Sequence, residues 1–400
     1  METVPVKPKP PMYEGGHVLI VTDGLYMTSN GGAVVMRNLI AQFAPDSLSV
    51  LTRDIPRKSS AQIDPEYRIF TYRSDSPFIR RGERYWRDLA KPLFERRVVK
   101  VVQEVRPSLI LAVYPSLHFF AAAIHAAQRN GIPWVAYLHD VLAEVYRGTR
   151  YEQRAAAVQQ NMFDSASGIL VANHSMANHF QSKYSVSTVP ISIGYSEPIP
   201  TALNPQPEGT PRAFMGGAVY STNHKAVDRL MRGVEQAGGG FTLATGVDWK
   251  SLGRWNIVQR PGIDKALFVR RSEYLEALKD QHILTVGLNW PDECGIPEDE
   301  LSTALPTKLV EYLASGRPIL AHCPANYALA KFIGKYQCGV VVDTREVEAV
   351  AASVKRLLEN SQEVEQMRMN ALGAARLFSM DRIASELKRQ LDTMAPTVDS

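Results

Sequence analysis

Cysteine is scarce. The 400 residues hold three, Cys294, Cys323 and Cys338, with no metal-ligand spacing and no disulfide framework. A reducing compartment is therefore the expectation, and the cytoplasm is the simplest one. Long apolar runs are missing as well, since none approaches the ~20 residues of a spanning helix. Residues 1–15 carry proline and lysine without an apolar core, which predicts a disordered tail and not a signal peptide. Excess charge is lacking too. A net charge of +4 is too small to imply a nucleic-acid partner by itself. What remains is the composition of a soluble globular protein, 45% hydrophobic and 22% charged, long enough to suggest two domains.

The most informative stretch is Leu305-Pro306-Thr307-Lys308-Leu309-Val310-Glu311-Tyr312-Leu313-Ala314-Ser315-Gly316-Arg317-Pro318-Ile319-Leu320. It predicts a loop, a short helix, a stop and a strand. Pro306 suits a first helical turn, because it has no N–H to lose there and its φ is already helical. Leu309, Val310, Leu313 and Ala314 recur at helical spacing and predict one buried stripe. Gly316 is free to take the left-handed conformation that ends a helix. On this pattern Thr307 and Lys308 stand at a helix N-terminus, where free N–H groups, a hydroxyl and an ammonium would hold a phosphate. Glu311 lies about one turn further on. A diphosphate would repel its carboxylate, which is better suited to accept hydrogen bonds from sugar hydroxyls.

These residues resemble the donor-site helix of GT-B glycosyltransferases, in particular the retaining family-4 type, in the variant Pro-Ser/Thr-Lys-x-x-Glu-Tyr. The resemblance spans roughly residues 17–394 and is strongest over 305–342. It implies an α/β fold of two Rossmann-like doubly wound domains facing a cleft. It implies a glycosyltransferase that moves a sugar from a nucleotide-diphosphate donor to an acceptor with retention of configuration. In the family a Glu-x7-Glu pair binds the donor. Glu311 matches the second member, which holds the ribose, whereas the first position is Thr303. The resemblance also implies a nucleotide sugar and a carbohydrate or lipid-linked acceptor as partners, as in polysaccharide or glycolipid synthesis, with no cofactor. No Asp-x-Asp occurs, so a metal-bound diphosphate has no support and no metal is expected. A sugar-nucleotide epimerase or hydrolase of the same fold, and a non-catalytic binding protein, stay open as alternatives.

The domain expected over 16–195 opens with an apolar strand from His17 to Thr22, a loop over 23–30, Gly31-Gly32 and a helix over 33–43. The loop is not Gly-x-Gly-x-x-Gly. Gly31 and Gly32 resemble the glycine loop by the family's donor phosphates, and a tight strand–helix turn explains them equally. Strands are expected at 48–51, 109–113, 134–138 and 168–171, with helices over 117–129 and 151–165. Alternating strands and helices predict a mostly parallel sheet covered on both faces. His139-Asp140 then falls at the carboxyl end of a strand, the ligand edge of such sheets. His139 matches the family's histidine against the donor sugar, with a satisfied polar residue as the plainer reading. Over 79–106, Arg80, Arg81, Arg84, Arg87, Lys91, Arg96, Arg97, Lys100 and Arg106 face four acids, Glu83, Asp88, Glu95 and Glu104. Trp86, Leu89, Ala90, Leu93, Val98, Val101 and Val105 recur every three or four residues. Such a helix suits either an anionic membrane surface on the cytoplasmic side or a core helix with a solvated basic face. Nucleic acid is not expected, because no aromatic stacking motif accompanies the charge.

Residues 196–211 are rich in proline and read as a linker. The second domain, expected over 212–375, begins with a strand over 212–215, Gly216-Gly217, a polar turn containing Asn223, and a helix from Lys225. This again sets glycines and a helix start at a ligand edge. It resembles the start of the GT-B donor domain, where a basic residue contacts the diphosphate. Lys225 is that residue or a solvated first-turn lysine. The expected donor-site set is thus Gly31, Gly32, Gly216, Gly217, Asn223, Pro306, Thr307, Lys308 and Glu311, with His139, Lys225 and Lys308 in catalytic roles. Further strands are expected at 241–245, 257–259, 282–286 and 339–342. An acidic loop over 289–301 could replace the missing Glu or be merely solvated. A last helix, over 376–394, is expected to cross back to the first domain.

Overall fold

The computed structural model describes residues 16–23, 25, 31–53, 66–72, 83–268 and 270–395; the expected tail over 1–15 lies outside them. The chain divides into two units, one formed by residues 1–194 and 380–400 and the other by residues 195–379.

The first unit is built on β1 (Val18–Val21), β2 (Leu48–Arg53), β3 (Arg68–Tyr72), β4 (Leu109–Tyr114), β5 (Trp134–Leu138), β6 (Gly168–Val171) and β7 (Val189–Pro190). They form one parallel sheet in the order β3-β2-β1-β4-β5-β6-β7. β1, β4 and β5 are buried at every position, as continuous apolar runs with both faces covered must be. Alternation decides the faces. Leu19 and Val21 pack with Phe94, Val98 and Phe120, while Val18 and Ile20 pack with Met36, Leu39 and Leu391. The helices between the strands are α1 (Gly31–Ile40), α2 (Glu83–Val105), α3 (Leu117–Asn130), α4 (Glu152–Ser165) and α5 (His174–Tyr184).

Two expectations change here. Gly31 and Gly32 lie in the first turn of α1 and not in the loop before it. In α2, Val98 and Val101 are fully buried in the unit's core, and Arg96, Lys100 and the following Arg106 are exposed. From residue 94 onward the apolar stripe is therefore spent on the sheet and not left for a membrane. The side chains of 79–91 lie outside the described residues.

The second unit carries β8 (Arg212–Gly216), α6 (His224–Gln236), β9 (Gly240–Ala244), α7 (Trp249–Gly253), β10 (Ile263–Ala266), α8 (Arg271–Lys279) and β11 (Ile283–Gly287). It continues with α9 (Glu298–Thr303), α10 (Leu309–Ser315), β12 (Ile319–His322), α11 (Ala328–Tyr336), β13 (Gly339–Val342), α12 (Val347–Glu359) and α13 (Ser361–Ala375). Its six parallel strands run β10-β9-β8-β11-β12-β13. The expected strand at 257–259 is instead irregular chain anchored by buried Ile257, and the strand that pairs with β9 starts at Ile263. Residues 196–211 count with this unit. Arg317, almost fully buried, donates to Pro205 O at 2.6 Å and to Gln206 Oε1 at 3.1 Å, and Arg368 donates to Asn204 O. A buried guanidinium needs acceptors, and the proline-rich backbone supplies them. The chain then re-enters the first unit as α14 (Met380–Met394), whose Met380, Leu387 and Leu391 are buried in that unit's core.

Candidate active site

In both sheets the strand order reverses beside the first strand of the unit, between β1 and β4 and between β8 and β11. The crevice outside the carboxyl ends of such strands is where open α/β sheets bind ligands. In the second unit β8 runs into Gly216 and Gly217. The Gly216 N–H donates to the Tyr312 hydroxyl at 2.9 Å, and that hydroxyl donates to Thr285 O at 3.3 Å. Buried Tyr312 thus ties the ends of β8 and β11 to α10. Gly217 turns the chain away at φ +103°, with its N–H on Ala244 O at 2.8 Å. A Cβ at Gly216 would stand 2.5 Å from the Tyr274 hydroxyl, and one at Gly217 would stand 3.2 Å from Lys308 Nζ. Both glycines are needed for this approach.

Lys308 is thereby set over the glycine turn. None of the described residues gives its ammonium a hydrogen bond or an ion pair. Burial pushes its pKa down to about 8, against the pull of Glu311 one turn away. The helix itself differs from expectation. It begins at Leu309, so Pro306 and Thr307 form a turn in front of it and Lys308 is its N-cap residue. The turn closes through Leu309 N–H on Pro306 O at 3.1 Å and Tyr312 N–H on Lys308 O at 3.0 Å. Seven residues make a weak dipole, so the attraction for an anion rests on the ammonium more than on the helix end. Gly316 ends the helix at φ +66°, as its sequence position predicts.

Glu311 is held. Its Oε1 accepts from Arg271 Nη1 at 2.7 Å, and the Tyr274 hydroxyl lies beside the same carboxylate. Thr303, at the position of the family's first Glu, donates its hydroxyl to Asp299 O at 2.7 Å, closing its own helix. The acidic loop is neither free for sugar hydroxyls nor simply solvated at its start. Asp292 is paired with Arg345 at 2.8 Å, and Glu293 takes both ends of the Arg229 guanidinium at 2.6 and 3.0 Å. Trp290 lies between those two guanidiniums, 5.0 and 5.4 Å from its ring centre. Asn223 precedes α6 with its amide already engaged. Its Oδ1 accepts from Tyr220 N–H at 2.9 Å and its Nδ2 donates to Ala218 O at 3.1 Å, so it builds the loop. Lys225, in the first turn of α6, is exposed. The structure therefore gathers Gly216, Gly217, Lys308 and Glu311, and leaves Lys225 in water.

In the first unit His139 follows β5 directly. Its ring meets Tyr137 edge-on at 4.6 Å, and its Nε2 is buried with no hydrogen-bond partner among the described residues. Burial lowers its pKa to about 4, so the imidazole is neutral at pH 7. Burial also raises the neighbouring Asp140 above the usual carboxylate range. An unmet buried nitrogen is costly unless something else meets it. Among the described residues the plainer reading of His139 as a satisfied polar residue is not met at Nε2.

Two family profiles match the chain. Glycosyltransferase Family 4 matches residues 29–195, and Glycosyl transferases group 1 matches residues 270–373; together they take in more than half of it. The protein is a GT-B glycosyltransferase. Sucrose-phosphate synthase from Thermosynechococcus elongatus shares its fold at a TM-score of 0.70 and 13% identity, covering 94% of this chain and 99% of that one. Anabaena HepE, solved with UDP and glucose, aligns at 0.68 and 13% identity over 94% and 100%. The lipopolysaccharide outer core galactosyltransferase WaaB aligns at 0.64 and 13% over 94% and 99%. No curated protein sequence matches the chain.

Sequence reasoning about the glycosyltransferase missed Arg271 and Tyr274, which surround Glu311 from α8. Their stretch is an ordinary charged helix, and only the fold brings it to α10. Tyr312 sat inside the motif but outside the expected buried stripe, and neither its burial nor its bond to Gly216 was foreseen. No helix among the described residues is long and apolar enough to cross a membrane.

Proposed function

We propose that this glycosyltransferase transfers a sugar from a nucleotide-diphosphate donor to a polysaccharide or lipid-linked acceptor, with retention of anomeric configuration. The observation that carries this reading is the Lys308 ammonium, half-buried over the Gly217 turn at the switch point with no ion pair to it among the described residues. A buried cation without a partner is unfavourable, and a diphosphate meets it. HepE was solved with UDP and glucose, and WaaB is a galactosyltransferase, which supports a sugar nucleotide as donor here.

In this reading Gly216, Gly217, Thr307 and Lys308 receive the diphosphate, with Pro306 shaping the turn and exposed Lys225 adding long-range attraction. Glu311 takes the ribose. His139 contacts the donor sugar as a neutral group, and Gly31-Gly32 serve the same donor. Asn223 acts by holding the loop before α6. The anomeric C–O bond to the β-phosphate breaks and a C–O bond to the acceptor hydroxyl forms. The acceptor's proton passes to the leaving phosphate oxygen. Charge grows on that oxygen in the transition state, and the fixed Lys308 ammonium stabilises it most there. No metal or cofactor is assigned a role.

The test offers UDP-, GDP- and ADP-sugars with and without candidate acceptors, and reads the product anomer by NMR. Acceptor-dependent consumption of one donor with retention is expected. Equal consumption without acceptor would make the protein an epimerase or hydrolase. Binding with no consumption under any acceptor would make it a binding protein.

A further inference from the structure

Glu311 accepts from Arg271 Nη1 through Oε1, and the Tyr274 hydroxyl is hydrogen-bonded to the same carboxylate. Arg271, the first residue of α8, has its Nε 3.5 Å from Glu197 Oε1 on the other side. One guanidinium thus stands between two carboxylates, and the trio carries one net negative charge. A cleft of about 290 Å3 opens against it, lined by Tyr195, Pro198, Arg271, Leu275, Glu311 and Ala314 among others. The other charged residues on its wall, Glu276 and Lys279, pair with each other at 2.6 Å. An anion is repelled from such a place. A neutral group that donates hydrogen bonds is welcomed, because a fixed carboxylate oxygen accepts it without having to shed a competing cation.

We propose that Arg271 is a positioning residue. It holds one oxygen of Glu311 so that the other meets the vicinal hydroxyls of the donor's ribose. This rests on the donor reading above and adds to it the group that orients the ribose contact. A carboxylate on a short helix rotates freely about its side-chain bonds. Fixing one oxygen with a planar guanidinium removes that freedom before the ligand arrives. The prediction is a loss of discrimination between ribose and its deoxy analogue, not a loss of diphosphate affinity.

The experiment measures binding of UDP, GDP and ADP, and of their 2′,3′-dideoxy forms, to the full chain by calorimetry, with inorganic pyrophosphate as competitor. Wild-type protein is expected to prefer the ribose form of its nucleotide by roughly tenfold or more, the effect of a hydrogen bond to a charged group. Arg271→Gln should bring that ratio close to one, as Glu311→Ala does, while pyrophosphate still competes as in wild type. Arg271→Lys should keep an intermediate ratio, since an ammonium restores the charge but not the planar geometry. Melting curves of all three variants accompany the ratios, and Arg271→Lys carries the test if Arg271→Gln fails to fold. A ratio lost in Glu311→Ala but kept at the wild-type value in the Arg271 variants would overturn the assignment of Arg271 alone. Wild-type protein that binds both forms equally would overturn this assignment and the ribose role of Glu311 together, while leaving Lys308 to be judged by pyrophosphate.

Discussion

The two units put different chemistry at the carboxyl edges of their sheets. In the second unit the edge is crowded with charge, and almost all of it is matched within the unit. Asp292 has Arg345, Glu293 has Arg229 and Glu311 has Arg271, while Lys308 feels only the pull of Glu311 and makes no ion pair among the described residues. In the first unit the edge after β5 carries groups that burial drives toward neutrality, His139 below the usual imidazole range and Asp140 above the usual carboxylate range. On the reading proposed above, the first kind of edge suits an ionic ligand and the second a neutral, hydrogen-bonding one, each within its own unit.

The contrast breaks most sharply at Lys308. Lys308→Ala should lower turnover ~100- to 1,000-fold, the range seen when one donor to a developing oxyanion is removed. Donor affinity should fall less, and the melting temperature of the free protein should hold or rise. Steady-state kinetics, calorimetry and melting on the same protein check all three. An early-melting variant with normal kinetics would make Lys308 structural. The pH dependence follows in sign. With the ammonium receiving the diphosphate as proposed, donor affinity should fall as pH rises through about 8. Its folded pKa lies below the ordinary 10.5, so the unfolded chain holds the proton more tightly between those values. Stability of the free protein should therefore gain a contribution as pH rises through that window, and Lys308→Ala should remove it.

Glu311→Ala comes next, with donor binding weakened roughly tenfold to a hundredfold and folding little changed, because a hydrogen bond to a charged acceptor is lost. Unchanged donor affinity by calorimetry would end its ribose role. His139→Ala should lower turnover about tenfold with donor affinity nearly constant, the effect of one neutral hydrogen bond. The turnover profile between pH 5 and 8 should show no limb belonging to His139, since that ring titrates near 4. Wild-type turnover in the variant would leave the second unit to act alone. Lys225→Ala should have the smallest effect, about threefold or less on donor affinity and vanishing in high salt, because an exposed charge is screened. An effect as large as that of Lys308→Ala would erase the distinction between exposed and half-buried cations.

Much of this was readable in the residues. The strands at 134–138, 168–171 and 339–342 fall where their apolar runs place them. Those not foreseen, β3, β7 and β10, lie at or near sheet edges. An edge strand needs less burial, and Arg-Ile-Phe-Thr-Tyr or Ile-Asp-Lys-Ala shows no continuous apolar run. Lys308 and Glu311 could be singled out together because they are three positions apart in one motif. Arg271 was not, because it is 40 residues from Glu311, and Tyr312 is 96 residues from the glycine it holds.

The sequence by itself determined the alternation of apolar strands and helices, the doubled α/β plan, the glycines at the end of β8 and the stop at Gly316. These are local properties, set by side-chain volume, periodicity and backbone freedom over a few residues. Only the tertiary structure decided which charges are paired. Asp292 and Glu293 were readable either as acceptors or as a solvated loop, and Lys225 either as a diphosphate contact or as a solvated lysine. Folding gave the three acids arginines from distant parts of the chain, left Lys225 in water, and drew Lys308 over Gly217 with no ion-pair partner among the described residues. The energy of a charge depends on what surrounds it within a few ångströms, and those surroundings come from parts of the chain that no local pattern connects.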